Sequence, residues 1–222
     1  MKTILFQGDS ITDCGRLRKN HTNVFMKALI KFSKRTPLGS GYPSLVAKEM
    51  GNDFDFVNRG VSGDRVPDVY ARIVRDIIKI KPDYMSILVG VNDIWHGFDF
   101  DNETGTKRLE KVYNIIIEEL KEELPETKIM IMEPFILEGS ATKNKENEPD
   151  RYERFKKGIT EVAEITRSLA EKHNLIFIPL QNVLDEAVKE LSPEMILSDG
   201  VHPTERGHEI IKNEWIKAFK TL

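Results

Sequence analysis

The stretch KTILFQGDSITD, residues 2–13, decides the fold that this sequence predicts. It begins with the apolar run ILF at 4–6, which is typical of a short strand covered on both faces of a parallel sheet. The run is followed at once by the turn GDS at 8–10. Ser10 therefore lies just past the carboxyl end of a buried strand, where α/β proteins bind their ligands. Ser10 is the first candidate nucleophile.

The rest of the chain continues as apolar strands that alternate with amphipathic helices. The predicted strands are residues 4–6, 54–58, 85–89, 129–132 and 175–178, and the predicted helices are residues 42–50, 66–80, 109–124, 151–173, 183–191 and 204–219. This alternation predicts a three-layer α/β/α sandwich with a parallel sheet. We expect one domain over residues 1–222, in which the polar segment 138–150 is a mobile surface loop or a rim over the site.

Composition excludes several classes of partner. A formal net charge of −3 with mixed signs favours neither nucleic acid nor an anionic membrane surface. No apolar run approaches the ~20 residues that span a bilayer, and no signal peptide precedes the first strand. Cys14 is the only cysteine, so no internal disulfide can form. We therefore expect a soluble cytoplasmic protein.

Polar, turn-forming clusters also follow other predicted strands. The cluster NRGVSGD at 58–64 follows the second strand and GVND at 90–93 follows the third, while SDGVHP at 198–203 comes late in the chain. Because parallel strands point the same way, these loops and the GDS turn should converge on one edge of the sheet. Residues far apart in sequence can then form one site.

The residue types in these loops suit acyl transfer. A serine hydroxyl needs a base at neutral pH, and His202 is the candidate, with Asp199 three residues earlier to orient its ring. The tetrahedral intermediate needs prepositioned donors for its oxyanion. The backbone N–H groups of Gly63 and Ser10 and the side-chain amide of Asn92 are suitable donors.

Other polar residues have structural explanations. Ser62 is a rival nucleophile, but no glycine turn directly precedes it at a strand end. Asp9 and Asp13 could be mistaken for a metal pair, yet turn and cap bonding explains both. The remaining histidines, His21, His96, His173 and His208, lack metal-ligand spacing and favour surface or capping roles. We expect no metal.

Three residues beside the loops are candidates for substrate binding, namely Asp9, Arg59 and Trp95. An aromatic surface at residues 95–98 could stack on a sugar ring or simply pack its loop, and the sequence favours neither. Arginines beside loops usually serve only solvation.

The four blocks, taken together, resemble those of the SGNH hydrolases, the GDSL esterase and lipase superfamily. They match in the family's order as Gly8-Asp9-Ser10, Gly63 within NRGVSGD, Gly90-Val91-Asn92-Asp93, and Asp199-x-x-His202-Pro203. The resemblance implies a flavodoxin-like hydrolase with a five-stranded sheet and no metal or cofactor. It also implies that Ser10, His202 and Asp199 form a catalytic triad, and that Ser10, Gly63 and Asn92 form the oxyanion hole. The third block has Val91 where the family pattern has glycine, but it retains Asn92.

Further stretches resemble a branch of cytosolic carbohydrate acetylesterases, including those that deacetylate xylo-oligosaccharides. They are residues 8–16, 38–42, 91–95 and 134–139. This resemblance implies a small-molecule ester substrate and a possible homo-oligomer. Ser198 stands where an aromatic residue can precede the triad aspartate in that branch.

Two alternatives remain open from the sequence. The same site could serve a lysophospholipase or a thioesterase of the superfamily. In a different class, the chain could be a non-catalytic flavodoxin-like module in which Asp9 accepts a phosphoryl group or ligand, although such a module has no need of an imidazole oriented by Asp199.

Overall fold

Five parallel strands form the centre of the molecule. The computed structural model describes residues 1–17 and 36–222. Its strands are β1 Lys2–Gly8, β2 Phe54–Asn58, β3 Tyr84–Leu88, β4 Lys128–Met132 and β5 Ile176–Ile178. They are hydrogen-bonded in the order β2-β1-β3-β4-β5, each pair parallel. This is the strand order of flavodoxin-like sheets, so the predicted fold class is confirmed.

Helices cover both faces of the sheet. In the part of the chain described, they are α1 Ser10–Asp13, α2 Tyr42–Met50, α3 Val66–Tyr70, α4 Val91–Asp99, α5 Thr106–Glu123, α6 Arg151–Lys172, α7 Gln181–Ala187, α8 Pro193–Ile196 and α9 Glu205–Phe219. A 3₁₀ turn at Gly51–Asp53 and a π-helical turn at Val74–Ile78 complete the regular structure. None of these helices is both long and apolar enough to cross a membrane.

The core is divided between the two faces because side chains alternate along a strand. On β1, Ile4 and Phe6 belong to one apolar cluster and Leu5 to the other, and all three are fully buried. The first cluster includes Trp215 of α9, whose ring centroid lies 5.3 Å from that of Phe6. The continuous apolar run of β1 therefore anchors both outer layers.

The predicted helix at 66–80 is wrong as one continuous helix. The structure has α3 at Val66–Tyr70 and then the π-helical turn at Val74–Ile78, where Lys79 N–H donates to the carbonyl of Val74. Asp76 in this turn is buried and bonded to Arg72. The wider turn still places Ile73 and Ile77 in the core, so the apolar spacing did not reveal it.

Helix α4, at Val91–Asp99, was not predicted. It begins immediately after Gly90 and carries Asn92 in its first turn. The remaining predicted elements are present, with ends that differ by at most four residues.

The carboxyl ends of β1 and β3 come into direct contact at Gly8. A Cβ added to Gly8 would lie 2.3 Å from the carbonyl oxygen of Leu88, the last residue of β3, and 2.4 Å from Oγ1 of Thr12. Only glycine permits this approach of the two backbones. The turn that carries Ser10 is thereby held against the segment that leads from β3 into α4.

Candidate active site

Ser10 is the first residue of the one-turn helix α1, at the carboxyl end of β1. The helix begins at Asp9, whose Oδ1 accepts a hydrogen bond from the N–H of Ile11 at 3.0 Å. The Asp9 side chain is only 1% exposed, and this burial raises the pKa of its carboxyl to about 7. Asp9 thus caps the helix, and the Ser10 side chain remains partly exposed.

Ser10, His202 and Asp199 form a continuous chain of hydrogen bonds. Ser10 Oγ lies 2.9 Å from His202 Nε2, and His202 Nδ1 lies 2.7 Å from Asp199 Oδ2. The second carboxylate oxygen, Oδ1, accepts the backbone N–H groups of Val201 at 2.9 Å and His202 at 2.8 Å. The structure therefore brings the predicted nucleophile, base and carboxylate together.

The two ionisable members of this chain stabilise each other's charged form. Burial raises the pKa of Asp199, but the His202 ring and two backbone N–H groups outweigh it and lower that pKa to about 2. The hydrogen bond with Asp199 raises the pKa of His202 above its ordinary 6.5, while burial opposes the rise. Asp199 is thus an anion at neutral pH, and its acceptor oxygen requires Nδ1 of His202 to carry a proton.

The segment 137–142 holds the loop that carries Asp199. Leu137 N–H donates to the carbonyl of Gly200 at 2.9 Å, and Ala141 N–H donates to that of Asp199 at 2.9 Å. A Cβ on Gly139 would lie 2.3 Å from the carbonyl carbon of Asp199. The beginning of the 138–150 segment is therefore a structural support, packed backbone to backbone.

The turn after β2 is fixed to α1 by Asn58 and Asp13. The buried Asn58 amide donates to the carbonyls of Thr12 at 2.6 Å and Leu38 at 2.8 Å, and its oxygen accepts the N–H of Gly60 at 2.9 Å. Asp13 Oδ2 accepts both the N–H and the hydroxyl of Ser62 at 3.2 Å. The Ser62 hydroxyl is thus bonded to a carboxylate, whereas that of Ser10 faces an imidazole.

Asn92, in the first turn of α4, links that helix to the turn that contains Gly63. Its side-chain amide donates one hydrogen bond to the carbonyl of Asp64 at 3.0 Å, which leaves the second N–H of the amide for another acceptor. Gly63 precedes Asp64 in this turn, with a φ of +85°. Two of the three predicted oxyanion donors, Gly63 and Asn92, therefore belong to directly bonded segments.

Trp95 lies against the His202 ring, with 5.7 Å between the ring centroids. The neighbouring aromatic residues face elsewhere: Phe98 packs on Phe155 at 5.2 Å, and His96 packs on Phe100 at 5.1 Å. Among these aromatic residues at 95–98, Trp95 is thus the one that contacts His202.

A cavity of about 790 Å³ opens beside Ser10. Its lining residues are Ser10, Ile11, Cys14, Gly15, Gly39, Ser40, Ser62, Ser198, His202, Pro203 and His208. Four serine hydroxyls and two imidazoles supply polar groups to this wall. The three residues predicted to bind substrate, Asp9, Arg59 and Trp95, are not among these lining residues. Arg59 is one of several nearby charges that lower the pKa of Asp76. Contact of those three residues with substrate stays a prediction.

His208 is buried, which the sequence did not indicate. Its Nδ1 accepts the N–H of Tyr42 at 3.2 Å, so Nε2 carries the proton and faces Cys14 Sγ at 3.3 Å. Burial, helped by the charge of His202, lowers the pKa of His208 to about 4. His208 is therefore neutral at pH 7. His21, for which a surface or capping role was predicted, lies outside the described residues.

Metal binding has no obvious ligand set here. Within residues 1–17 and 36–222, no three His, Cys, Asp or Glu side chains are grouped so that they could hold a metal ion.

Comparison with known proteins identifies relatives over nearly the whole chain. Residues 6–210 match the GDSL-like lipase/acylhydrolase family. The chain is 31% identical to an acetylxylan esterase of Geobacillus stearothermophilus, over 96% of this chain and 92% of that protein.

Solved structures are also similar to this chain over nearly its whole length. A protein of Parabacteroides merdae described as a GDSL-like lipase has a TM-score of 0.85 and 33% identity, covering 100% of this chain and 96% of that one. The crystal structure of an acetylxylan esterase from Geobacillus stearothermophilus has a TM-score of 0.77 and 30% identity, covering 98% and 93%.

The packing of Gly200 generates a stability prediction. Its φ is +95°, and an added Cβ would lie 2.6 Å from the carbonyl oxygen of Leu137. Gly51 also has a positive φ, of +71°, but an added Cβ would meet nothing within 4 Å. Gly51→Ala should cost about 1–3 kcal/mol through backbone strain alone. Gly200→Ala should cost a further ~1–3 kcal/mol through the clash, measured by urea unfolding. Equal losses of stability for the two variants would contradict the close packing of Gly200 against Leu137.

Proposed function

The chain belongs to the GDSL-like lipase/acylhydrolase family, and from that premise we propose that it is a serine esterase that removes short acyl groups, most of all acetyl, from hydroxylated substrates such as acetylated xylo-oligosaccharides. It is a carboxylic ester hydrolase. The observation that carries the proposed mechanism is the chain of hydrogen bonds from Ser10 Oγ through the His202 ring to Asp199, at 2.9 and 2.7 Å.

Ser10 is the proposed nucleophile and His202 its base. Because Asp199 accepts the proton on Nδ1, the lone pair of Nε2 points at the Ser10 hydroxyl. His202 takes the hydroxyl proton as Ser10 Oγ attacks the ester carbonyl. The imidazolium that forms is stabilised by the Asp199 carboxylate, which stays ionised because its pKa is about 2.

The attack places negative charge on the former carbonyl oxygen. We assign its stabilisation to the N–H groups of Ser10 and Gly63 and to the free N–H of the Asn92 amide. The N–H of Ser10 has no partner within α1, because it belongs to the first residue of the helix. Deleting one such donor typically costs about 3 kcal/mol of transition-state stabilisation.

His202 then returns the proton to the leaving alcohol, which gives an acyl-Ser10 ester. A water molecule deprotonated by His202 attacks this ester, and release of the carboxylic acid restores Ser10. The same nitrogen, Nε2, thus serves as base and acid in both halves of the reaction.

The lining of the cavity supports a polar substrate with a short acyl group. Ser40, Ser62 and Ser198 line the same cavity as the nucleophile, and among the described lining residues the hydrocarbon side chains are those of Ile11 and Pro203. A long acyl chain would need a continuous apolar wall. The acetylxylan esterase relative supports acetyl as the group and a xylo-oligosaccharide as its carrier.

Replacing the nucleophile should abolish turnover. Ser10→Ala should lower kcat on p-nitrophenyl acetate by ~10⁴ or more, because only the oxyanion donors and binding would remain. Ser62→Ala removes a hydroxyl from the same cavity and should cost less than about tenfold. A fluorophosphonate probe should label the wild type but not Ser10→Ala. A folded Ser10→Ala variant with wild-type turnover would refute the mechanism.

The pH dependence should report His202. The base must be neutral, and its pKa is raised above 6.5 by the hydrogen bond with Asp199. We therefore expect kcat/KM to fall as the pH is lowered through a value above 6.5. Asp199→Asn should move this acidic limb to lower pH, as well as slowing the reaction, because the interaction that raises the pKa is lost.

Asp9 provides the control for this profile, because its pKa of about 7 lies in the same range. In Asp9→Asn the acidic limb should persist, shifted slightly to lower pH, since the charge of Asp9 also raises the pKa of His202. Disappearance of the limb in Asp9→Asn would assign it to Asp9 and not to His202.

Substrate profiling separates the proposal from lysophospholipase or thioesterase activity. On p-nitrophenyl esters, kcat/KM should be highest for acetyl and at least tenfold lower for octanoyl. A site that buried the acyl chain would instead gain up to about 0.8 kcal/mol for each added CH₂ group. Acetate release from acetylated xylo-oligosaccharides, followed by mass spectrometry, tests the carrier. A steep rise from acetyl to octanoyl would overturn the substrate class.

A further inference from the structure

Arg151 is fully buried and lies at the start of α6, outside the cavity. A buried arginine is rare unless its donors are satisfied. Its Nε donates to the carbonyl of Ala141 at 3.0 Å, Nη1 to Glu148 Oε2 at 2.8 Å, and Nη2 to Asp99 Oδ1 at 2.9 Å. One side chain thus joins the 138–150 segment to the end of α4.

The bond to Ala141 leads to the carboxylate of the proposed triad. Ala141 accepts from Arg151 through its carbonyl, and its own N–H donates to the carbonyl of Asp199 at 2.9 Å. Arg151 therefore supports the backbone on which Asp199 is mounted.

The bond to Asp99 leads to the imidazole. The other oxygen of that carboxylate, Oδ2, accepts the indole N–H of Trp95, and the Trp95 ring lies against the ring of His202. Asp99 is ionised, since these donors lower the pKa of its carboxyl despite burial. Both routes from Arg151 thus end at the loop that carries Asp199 and His202.

We propose that Arg151 is a positioning residue, which acts through Ala141 and through the Asp99–Trp95 pair to hold Asp199 and His202 in line with Ser10. The inference deepens the proposed function and rests on it. Arg151 touches no reacting atom. A shift of about 1 Å in a catalytic group can cost on the order of 100-fold in rate, so a support of this kind affects kcat.

Lysine is the informative replacement for Arg151. It keeps the positive charge but cannot make three hydrogen bonds in the fixed directions of a guanidinium. The charged and titratable groups around His202 are Asp199 in its own loop, Asp9 at the end of β1 and His208 in α9. None of them changes in Arg151→Lys, so a shift of the acidic limb would report altered geometry.

Arg154 provides a matched control on the same helix. Its guanidinium lies 5.0 Å from the centre of the Phe98 ring, and that of Arg151 lies 4.9 Å from the same ring. Arg154 is bonded to the exposed Asp150 at 3.5 Å, and no bond links it to Ala141 or Asp99 among those of the described residues. Arg154→Lys therefore repeats the substitution without the proposed role.

The experiment measures kcat, KM, the pH profile and thermal unfolding of Arg151→Lys and Arg154→Lys with an acetyl ester. We expect Arg151→Lys to lower kcat by on the order of 10- to 100-fold. KM should stay within about twofold of the wild type, and the acidic limb should move to lower pH because a loosened bond to Asp199 raises the pKa of His202 less. Arg154→Lys should match the wild type.

Asp99→Asn keeps the test decisive if Arg151→Lys does not fold, because Asp99 is partly exposed. The single oxygen of the asparagine amide can accept a hydrogen bond from Trp95 or from Arg151, and its NH₂ group then faces the other donor. One of the two hydrogen bonds is therefore lost, and kcat should again fall. Where both variants fold, the double variant should be at most about twofold slower than the slower single one.

Wild-type kcat and an unmoved acidic limb in either folded variant would overturn the proposal. So would a lower melting temperature without a loss of kcat, since that result assigns Arg151 to stability alone. Ser10→Ala separates a failure of the proposed esterase function from a failure of the inference about Arg151. If Ser10→Ala stays active, the proposed function fails. If Ser10→Ala is inactive while Arg151→Lys keeps wild-type activity, only the inference about Arg151 fails.

Discussion

The hydrogen bond between Ser10 Oγ and His202 Nε2 joins residues that are 192 positions apart in sequence. Neither partner is held by a long element of its own, because Ser10 is on a single helical turn and His202 is on a loop before α9. The distance of 2.9 Å therefore depends on backbones that pack directly on each other. Gly8 brings β1 against the end of β3, and Gly139 brings its segment against Asp199.

Much of the fold could be predicted because a parallel sheet buries both faces of its strands. The apolar runs at 4–6, 85–89 and 129–132 all proved to be central strands, and the long helices α5, α6 and α9 followed from the spacing of their apolar residues. The π-helical turn at Val74–Ile78 was missed because its apolar residues keep a helical spacing. Helix α4 was missed because its first turn, which holds the buried Asn92 and Asp93, was interpreted as a loop.

The candidate site was predictable where chemistry requires particular residue types. A serine at a strand end and an aspartate and histidine in one late loop suggested one constellation, and the structure brings those three side chains together. Supporting residues were not predictable, since burial of Arg151 and His208 arises from contacts across the fold. In the sequence, nothing distinguishes Arg151 from the other charged residues, because it directly follows the polar segment 138–150. Its role depends on Asp99, 52 positions away, which no local pattern relates to it.

The contact of Gly139 with Asp199 and Gly200 has a consequence for exchanging loops between related proteins. Two backbones that touch with no side chain between them have complementary shapes. Each segment therefore packs only against a segment with the corresponding backbone conformation. A graft of the 198–203 loop from another protein into this chain must bring that donor's counterpart of residues 137–142 with it. Recombination that takes residues 137–142 from one parent and residues 198–203 from another would join segments that no longer pack together, even where both parents are well folded.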